Sequence, residues 1–558
     1  MQYPLPRRAA RGLVGLLLGL LCACAGLPTP EPAPSSTQVT VTRADDGLRL
    51  DYRLERSQTR FRFNPEEHLS AAAAIEVSTP GLALTEGAIV GPAPFDAFTL
   101  LVRPDARRVD ATYPVLARVG QSGLLLYTPV LAGDAQAGGT RFDFAPVVGA
   151  TRLPASAGEG FVFVGPSAYA AELGALTLVT PPDVPPPLRA VAATRAEALL
   201  EFYARRLGRP ALRLPLLVVD YDPRREAAGF VGDVTPNGVV LLQLSAALDG
   251  QPGGSTPFLS RFLAHEFFHL WNAPTYRDLE GVNGQWLREG SAEYAGWLAA
   301  EALWPEGQSL EERITSVLSP CMVTLGEDAL AALDGQRAQT TRYSCGAIAQ
   351  WLADVAMRRS GRGDLLDAWA RLLAQPGGYD VHSFESAIHR AHGYAGPLDL
   401  MLRGEGSDRW PRIFGMLRIM GVHVDEVSPG VGELRAAALH TVLREACTGG
   451  TAGFETTGLA EPPVAVILRT EPMGDDPVRA ECGGLAGDPQ LFAVNGRDAR
   501  GDWAPILRDV TAACEARGEI ALTLRRGTAD STVRVRCTRP ALAPRTEYRV
   551  RGALPPGA

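Results

Sequence analysis

Two histidines four residues apart, with a glutamate beside the first, are the side chains of this sequence best spaced for chemistry: His265-Glu266-Phe267-Phe268-His269. At 3.6 residues per turn, His265 and His269 share one helix face and can grip a single zinc ion. Glu266 stands next to that face, where it can take a proton from a metal-bound water. The flanks Phe262, Leu263, Phe267, Phe268, Leu270 and Trp271 predict a largely buried helix, with Thr256 and Pro257 opening it and Pro274 ending it. Buried polar side chains without partners are costly, and a metal ion is the simplest partner for this set. Catalytic zinc takes three protein ligands and keeps one position for water, so a third ligand is required. Gln285-Trp286-Leu287-Arg288-Glu289-Gly290-Ser291-Ala292-Glu293-Tyr294 offers it. Glu289 is the expected ligand. Glu293, four residues on and on the same helical face, is expected to orient a ligand histidine.

His265-Glu-Phe-Phe-His-Leu-Trp-Asn272 followed by Trp286-Leu-Arg-Glu-Gly-Ser-Ala-Glu-Tyr294 resembles the glycyl aminopeptidase family of zinc metallopeptidases. These are gluzincins related to the membrane alanyl aminopeptidases and, more distantly, to thermolysin. The motif likeness spans residues 255–390; elsewhere it is one of layout. The resemblance implies a β-rich N-terminal domain, a mainly helical thermolysin-like catalytic domain and a C-terminal PDZ domain. It also implies that a tyrosine opening a later helix stabilises the oxyanion. Tyr343-Ser344-Cys345-Gly346 matches that block, with Tyr343 in the tyrosine's place and Cys345 where the family has lysine. A second departure lies in 229–240. Relatives carry there a glutamate for the substrate α-amine, whereas this chain has none and only Asp233 could substitute.

The scaffold around these residues reads as a multidomain α+β protein. Residues 39–185 show short extended runs broken by Gly, Pro and Asp, which predicts a β-rich N-terminal domain. Pro181-Pro182-Asp183-Val184-Pro185-Pro186-Pro187 makes a stiff boundary. Helical periodicity then dominates the catalytic domain, 186–430. From 431 to 545 strand-like runs return with one helix, Trp503 to Arg517, in a pattern that resembles a bacterial PDZ domain. That helix would line a groove taking a peptide, or a protein's C-terminal tail, as an added strand. The histidines at 68, 382, 389, 392, 423 and 440 have no ligand spacing and read as surface or packing residues.

The first 24 residues carry arginines, a short apolar run and Leu21-Cys22-Ala23-Cys24, which resembles a bacterial lipobox with Cys24 as the lipidated residue. A Pro/Ser/Thr-rich tether, 25–38, follows. The expected location is an exported, membrane-anchored lipoprotein at the outer membrane or periplasmic face, with plain secretion as the alternative. Export makes disulfides admissible. Cys321 and Cys345, the two cysteines of the catalytic domain, should pair and brace the start of the Tyr343 helix. Cys447, Cys482, Cys514 and Cys537 allow three connectivities, of which 447–482 with 514–537 is preferred.

The chain has 558 residues, 46% hydrophobic and 21% charged, enough for several cores. Its 54 basic residues are all arginine and, against 62 acidic ones, leave a net charge of -8. That balance argues against a nucleic-acid partner. The expected function is therefore hydrolysis of peptide bonds in a peptide or protein substrate, with one Zn²⁺ per chain and Glu266 as general base. Exo- or endopeptidase action stays open. The alternative is a non-catalytic peptide-binding lipoprotein on the same fold.

Overall fold

The computed structural model describes residues 37–64, 75–104, 114–134, 139–146, 148–154, 160–222, 230–245, 255–279, 282–392, 396–406, 408–447, 450–457, 465–472, 482, 484–485, 489–526 and 529–554. The signal segment, Cys24 and nearly all of the tether lie outside these residues. Among the described residues no helix is long and apolar enough to cross a membrane.

The N-terminal region is β-rich. Strands β1 (Thr37–Ala44), β2 (Gly47–Arg62), β3 (Ile75–Val77), β4 (Ala83–Thr85), β5 (Ala88–Val102) and β8 (Thr140–Phe144) form one sheet in the order β3-β5-β2-β1-β8, with β4 on β5. Strands β6 (Leu116–Val119), β7 (Gly123–Tyr127), β9 (Ala150–Leu153) and β10 (Phe161–Pro166) form a second, β6-β7-β10-β9. β1 alternates buried and exposed residues, as a strand with one face on a core must.

A third sheet crosses the proline-rich boundary. β11 (Ala170–Leu173) and β12 (Leu176–Val179) precede it; β13 (Leu216–Asp222), β14 (Phe230–Val234) and β15 (Val239–Ser245) follow, in the order β11-β12-β13-β15-β14. Its central strands are parallel, and both faces are buried. Val179, Leu216, Val218, Val239 and Leu241 pack into the N-terminal core. Leu178, Leu217, Val219, Val240 and Leu242 pack towards the helices. This two-sided burial explains the unbroken apolar run Val239-Val240-Leu241-Leu242. The run offers no exposed edge, because β13 and β14 flank it on both sides; the edge on that side of the sheet is β14, antiparallel to β15.

The helices that follow are α1 (Pro186–Leu207), α2 (Ser255–Asn272), α3 (Gln285–Leu303), α4 (Leu310–Leu325), α5 (Gly335–Thr341), α6 (Ser344–Arg359), α7 (Leu365–Leu373), α8 (Val381–His392), α9 (Gly396–Arg403) and α10 (Arg409–Ile419). From Leu259 to Asn272 only Arg261 and Phe262 of α2 are more than slightly exposed, the pattern of a helix enclosed all round. Two glycines let it and its neighbours approach closely. A Cβ on Gly296 of α3 would lie 3.0 Å from the His265 backbone nitrogen, and one on Gly290 would lie 2.2 Å from the Gly346 carbonyl carbon of α6. The α3–α6 contact is therefore backbone on backbone.

After α10 the chain forms β16 (His423–Val427) and then a separate α/β region with its own core: α11 (Val431–Leu443), β17 (Gly450–Thr457), β18 (Ala465–Pro472), β19 (Gln490–Val494), β20 (Arg497–Asp498), α12 (Trp503–Arg517), β21 (Glu519–Arg526) and β22 (Ala529–Arg536). The sheet order is β17-β18-β19-β21-β22. The sequence reading expected strands from residue 431, but 431–443 is helical, burying Arg435, Ala438, Leu439 and Val442 at helical spacing. Those apolar residues share a core with Trp503, Ile506 and Val510 of α12, and the His440 ring meets Phe454 of β17 at 5.2 Å. Helix α12 thus packs on α11. The last strand, β23 (Glu547–Arg551), returns to pair with β16. The tail then docks on the catalytic helices: Val550 N–H donates to Thr315, and Trp351 Nε1 donates to the Ala553 carbonyl at 2.9 Å.

Candidate metal centre

His265 and His269 project from α2, and Glu289 reaches them from α3. His265 Nε2 and His269 Nε2 are 3.2 Å apart, and Glu289 Oε2 stands 3.5 Å from the first and 3.3 Å from the second. All three residues are buried, and they form the one possible metal-holding group of His, Cys, Asp and Glu found among the described residues. Zinc bonds to such donors are about 2.0–2.2 Å, so a tetrahedral set has donor–donor edges of about 3.3–3.6 Å. The observed triangle fits that size.

The remaining nitrogens fix the tautomers. His265 Nδ1 donates to Glu293 Oε2 at 2.9 Å, and a carboxylate can only accept. Glu293 Oε1 accepts from Trp297 Nε1 at 2.8 Å, one helical turn on. His269 Nδ1 donates to Asn272 Oδ1 at 2.9 Å. The orientation of that amide is set because Asn272 Nδ2 donates to the Arg288 carbonyl at 2.9 Å. Each imidazole therefore carries its proton on Nδ1 and turns the Nε2 lone pair to the shared point. Asn272 and Trp297 were not given roles from sequence, although each sits one helical turn after the residue it orients, a spacing that could have flagged them.

The electrostatics favour a cation here. Burial opposes charge on His265, but hydrogen bonds donated to Glu289 and Glu293 outweigh it and push its pKa up to about 10; a zinc ion would take the place of the added proton on Nε2. Burial would raise Glu289, yet His269 and His265 hold it well below the carboxylate range; Glu293 is likewise held down to about 2 by His265. Glu266 is different. Burial pushes it up to about 7, the two histidines pull against that, and Asp233 and Glu289 add to the rise. A carboxylate so placed can both accept and release a proton near neutrality.

Tyr343 is the residue before α6, with its ring centroid 5.7 Å from the His265 ring. Cys345, two residues on, is joined to Cys321 of α4 by a disulfide. The C-terminal pairs are Cys447–Cys482 and Cys514–Cys537. The segment expected to hold an α-amine comprises β14 and its following turn. In the turn, Thr235 Oγ1 donates to Asn237 Oδ1 at 2.7 Å, and Asn237 Nδ2 donates to the Phe161 carbonyl of the N-terminal region at 2.7 Å. Asp233 lies near enough to Glu266 to act on its charge, while its Oδ1 accepts the Val234 N–H at 2.6 Å. Gly229 is outside the described residues.

Among solved structures, an aminopeptidase N family protein from Idiomarina loihiensis superposes on 93% of this chain and 98% of its own, with a TM-score of 0.53 and 12% identity. The chain has an aminopeptidase N-type fold. Two further structures align less well: a two-domain M1 zinc metallopeptidase bound to L-arginine, and yeast LTA4 hydrolase in complex with bestatin. The first covers 67% of this chain and 94% of its own at 15% identity and TM-score 0.38. The second covers 74% of both at 11% identity and TM-score 0.40. By sequence, no protein-family model and no curated protein matches. The mixed α+β layout, with its β-rich N-terminal region and helical part, resembles the first of these structures from end to end.

Proposed function

We propose that this protein is an exported zinc metallopeptidase that hydrolyses peptide bonds. The observation that carries the reading is the triangle of His265 Nε2, His269 Nε2 and Glu289 Oε2, with both histidine tautomers locked from behind. Bound there, zinc would polarise the scissile carbonyl and acidify a water. Glu266 takes the proton of the attacking water and delivers it to the departing amine nitrogen. Tyr343 donates its phenol hydrogen to the carbonyl oxygen as charge develops on it; burial and the charge of Glu289 push that phenol's pKa up, so it stays protonated as a donor. β14, an edge strand, can hold an extended substrate by backbone pairing. Metal analysis and peptide cleavage test the reading together. One zinc per chain and loss of cleavage in Glu266→Gln with the metal retained are expected; a protein that binds no zinc, or a fully active Glu266→Gln, overturns it.

Cleavage should not require a free N-terminus. A charged amine in a closed site needs a carboxylate. The turn after β14 has none, and Asp233 already receives the Val234 N–H. A strict aminopeptidase reading is favoured by one observation, the reach of Asp233 to Glu266. An amino-acyl chromogenic substrate and its N-acetylated twin separate the two. Comparable turnover supports independence from the amine. Abolition by acetylation, matched by Asp233→Asn, makes Asp233 the anchor.

Lipid attachment at Cys24 and residence on a membrane surface complete the reading, and three disulfides support an oxidising location. The C-terminal region is proposed as a PDZ-like recognition module. Since α11 packs along α12, the strand edge it offers a peptide is β22, which pairs only with β21 among the described residues and is mostly exposed.

A further inference from the structure

Tyr343 is 41% exposed and stands in the junction between α5 and α6, so its ring is only partly enclosed. Two groups lie against the ring among the described residues. One is the His265 imidazole. The other is the Arg342 guanidinium, whose central carbon lies 4.7 Å from the ring centroid, within cation–π range. Arg342 is itself restrained, donating from Nη1 to the side-chain carbonyl of Gln339 in α5. A second guanidinium at the site, Arg288, is turned instead to Glu289, with Nε 3.5 Å from Oε1.

We propose that Arg342 is a positioning residue for Tyr343, stacking on the ring to hold the phenol towards the metal centre and keeping a fixed positive charge beside it. The inference rests on the reading of Tyr343 as the oxyanion donor. A donor already aimed at the developing charge needs no reorganisation during the reaction, whereas a half-exposed ring that swings freely must be ordered at every turnover. Cation–π stacking at an exposed site corresponds to a bias of about 2–5-fold in the ring's orientation. Removal of the nearby charge adds to the loss, because the oxyanion then forms in a less positive field.

The test uses zinc-loaded full-length protein and an internally quenched peptide. Arg342→Ala should lower kcat about 3–10-fold with KM little changed, and Arg342→Lys should recover most of it. In a Tyr343→Phe background, Arg342→Ala should have no further effect, because its influence runs through the phenol. A second measurement is independent of turnover. With 3-fluorotyrosine incorporated, the Tyr343 fluorine resonance, assigned by its loss in Tyr343→Phe, should shift and sharpen in Arg342→Ala. Equal losses in both backgrounds, or an unmoved resonance, overturn the proposal. A zinc-loaded wild type that cleaves nothing would defeat the peptidase reading, while the fluorine spectrum would still decide on Arg342.

Discussion

Adding one methyl group at Gly290 should pull the metal ligand and the oxyanion donor out of register. A Cβ there would lie 2.2 Å from the Gly346 carbonyl carbon and 2.3 Å from its Cα, both backbone atoms that no rotamer can move. Carbon–carbon contact becomes favourable at about 3.5 Å, so α3 and α6 must part by about 1.3 Å. Glu289 is the residue before Gly290, and Tyr343 stands less than one helical turn before Gly346, so the separation falls directly on that pair. A misplacement of about 1 Å at a reacting centre can cost ~10²-fold in rate, and overpacking of this kind costs about 1–3 kcal/mol of stability. Alanine is the better helix former by about 1 kcal/mol, so any loss must come from the contact. Gly296 is the internal control: in the same helix its added Cβ would meet the His265 nitrogen at 3.0 Å, a conflict a small shift relieves. We expect kcat/KM to fall ~10²-fold in Gly290→Ala and only a few-fold in Gly296→Ala, with zinc content and unfolding midpoint measured alongside. A Gly290→Ala protein that keeps its zinc and stays within about threefold of wild type would refute the argument that this contact registers Glu289 with Tyr343.

Asn272→Ala should weaken zinc binding by about 10–100-fold, since His269 loses the acceptor that fixes its tautomer; competition with a chelator reads this directly. Replacing Cys321 and Cys345 together with alanine should cost about 3–4 kcal/mol, from closure of a loop with sequence separation 24, seen as a lower denaturant midpoint. Free thiols at both positions in non-reduced peptide mapping would reject that pair. Mass spectrometry of the mature N-terminus should find a lipidated Cys24, and Cys24→Ser should release the protein from the membrane fraction.

The histidine pair was legible because helix geometry is local: four residues along α2 put His265 and His269 on one face whatever surrounds them. Glu289 followed from the third ligand that catalytic zinc needs, and Tyr343 from motif likeness alone, since nothing in a linear pattern states that α3 and α6 meet at two glycines. Strand order was harder. Val239 to Leu242 is the more apolar run and reads as a strand at once, yet its burial on both faces is what places it inside the sheet and leaves the glycine-containing β14 at the edge. Helix α11 was missed because Ala436-Ala437-Ala438 carries little periodic signal, and its face becomes apolar only against α12.

The pairing of β16 with β23 has a topological consequence. Val427 and Glu547 sit opposite each other in the antiparallel ladder, so the whole C-terminal α/β region leaves and re-enters the catalytic body at a single point. It is an inserted module on two stems, not an appendage on one. Cutting the chain after α10 would strip away the strap that caps α4 and α6, and would damage the peptidase body for reasons unrelated to recognition. Joining 427 to 547 through a short hairpin turn would instead excise the module cleanly, leaving the strap and the metal centre in place.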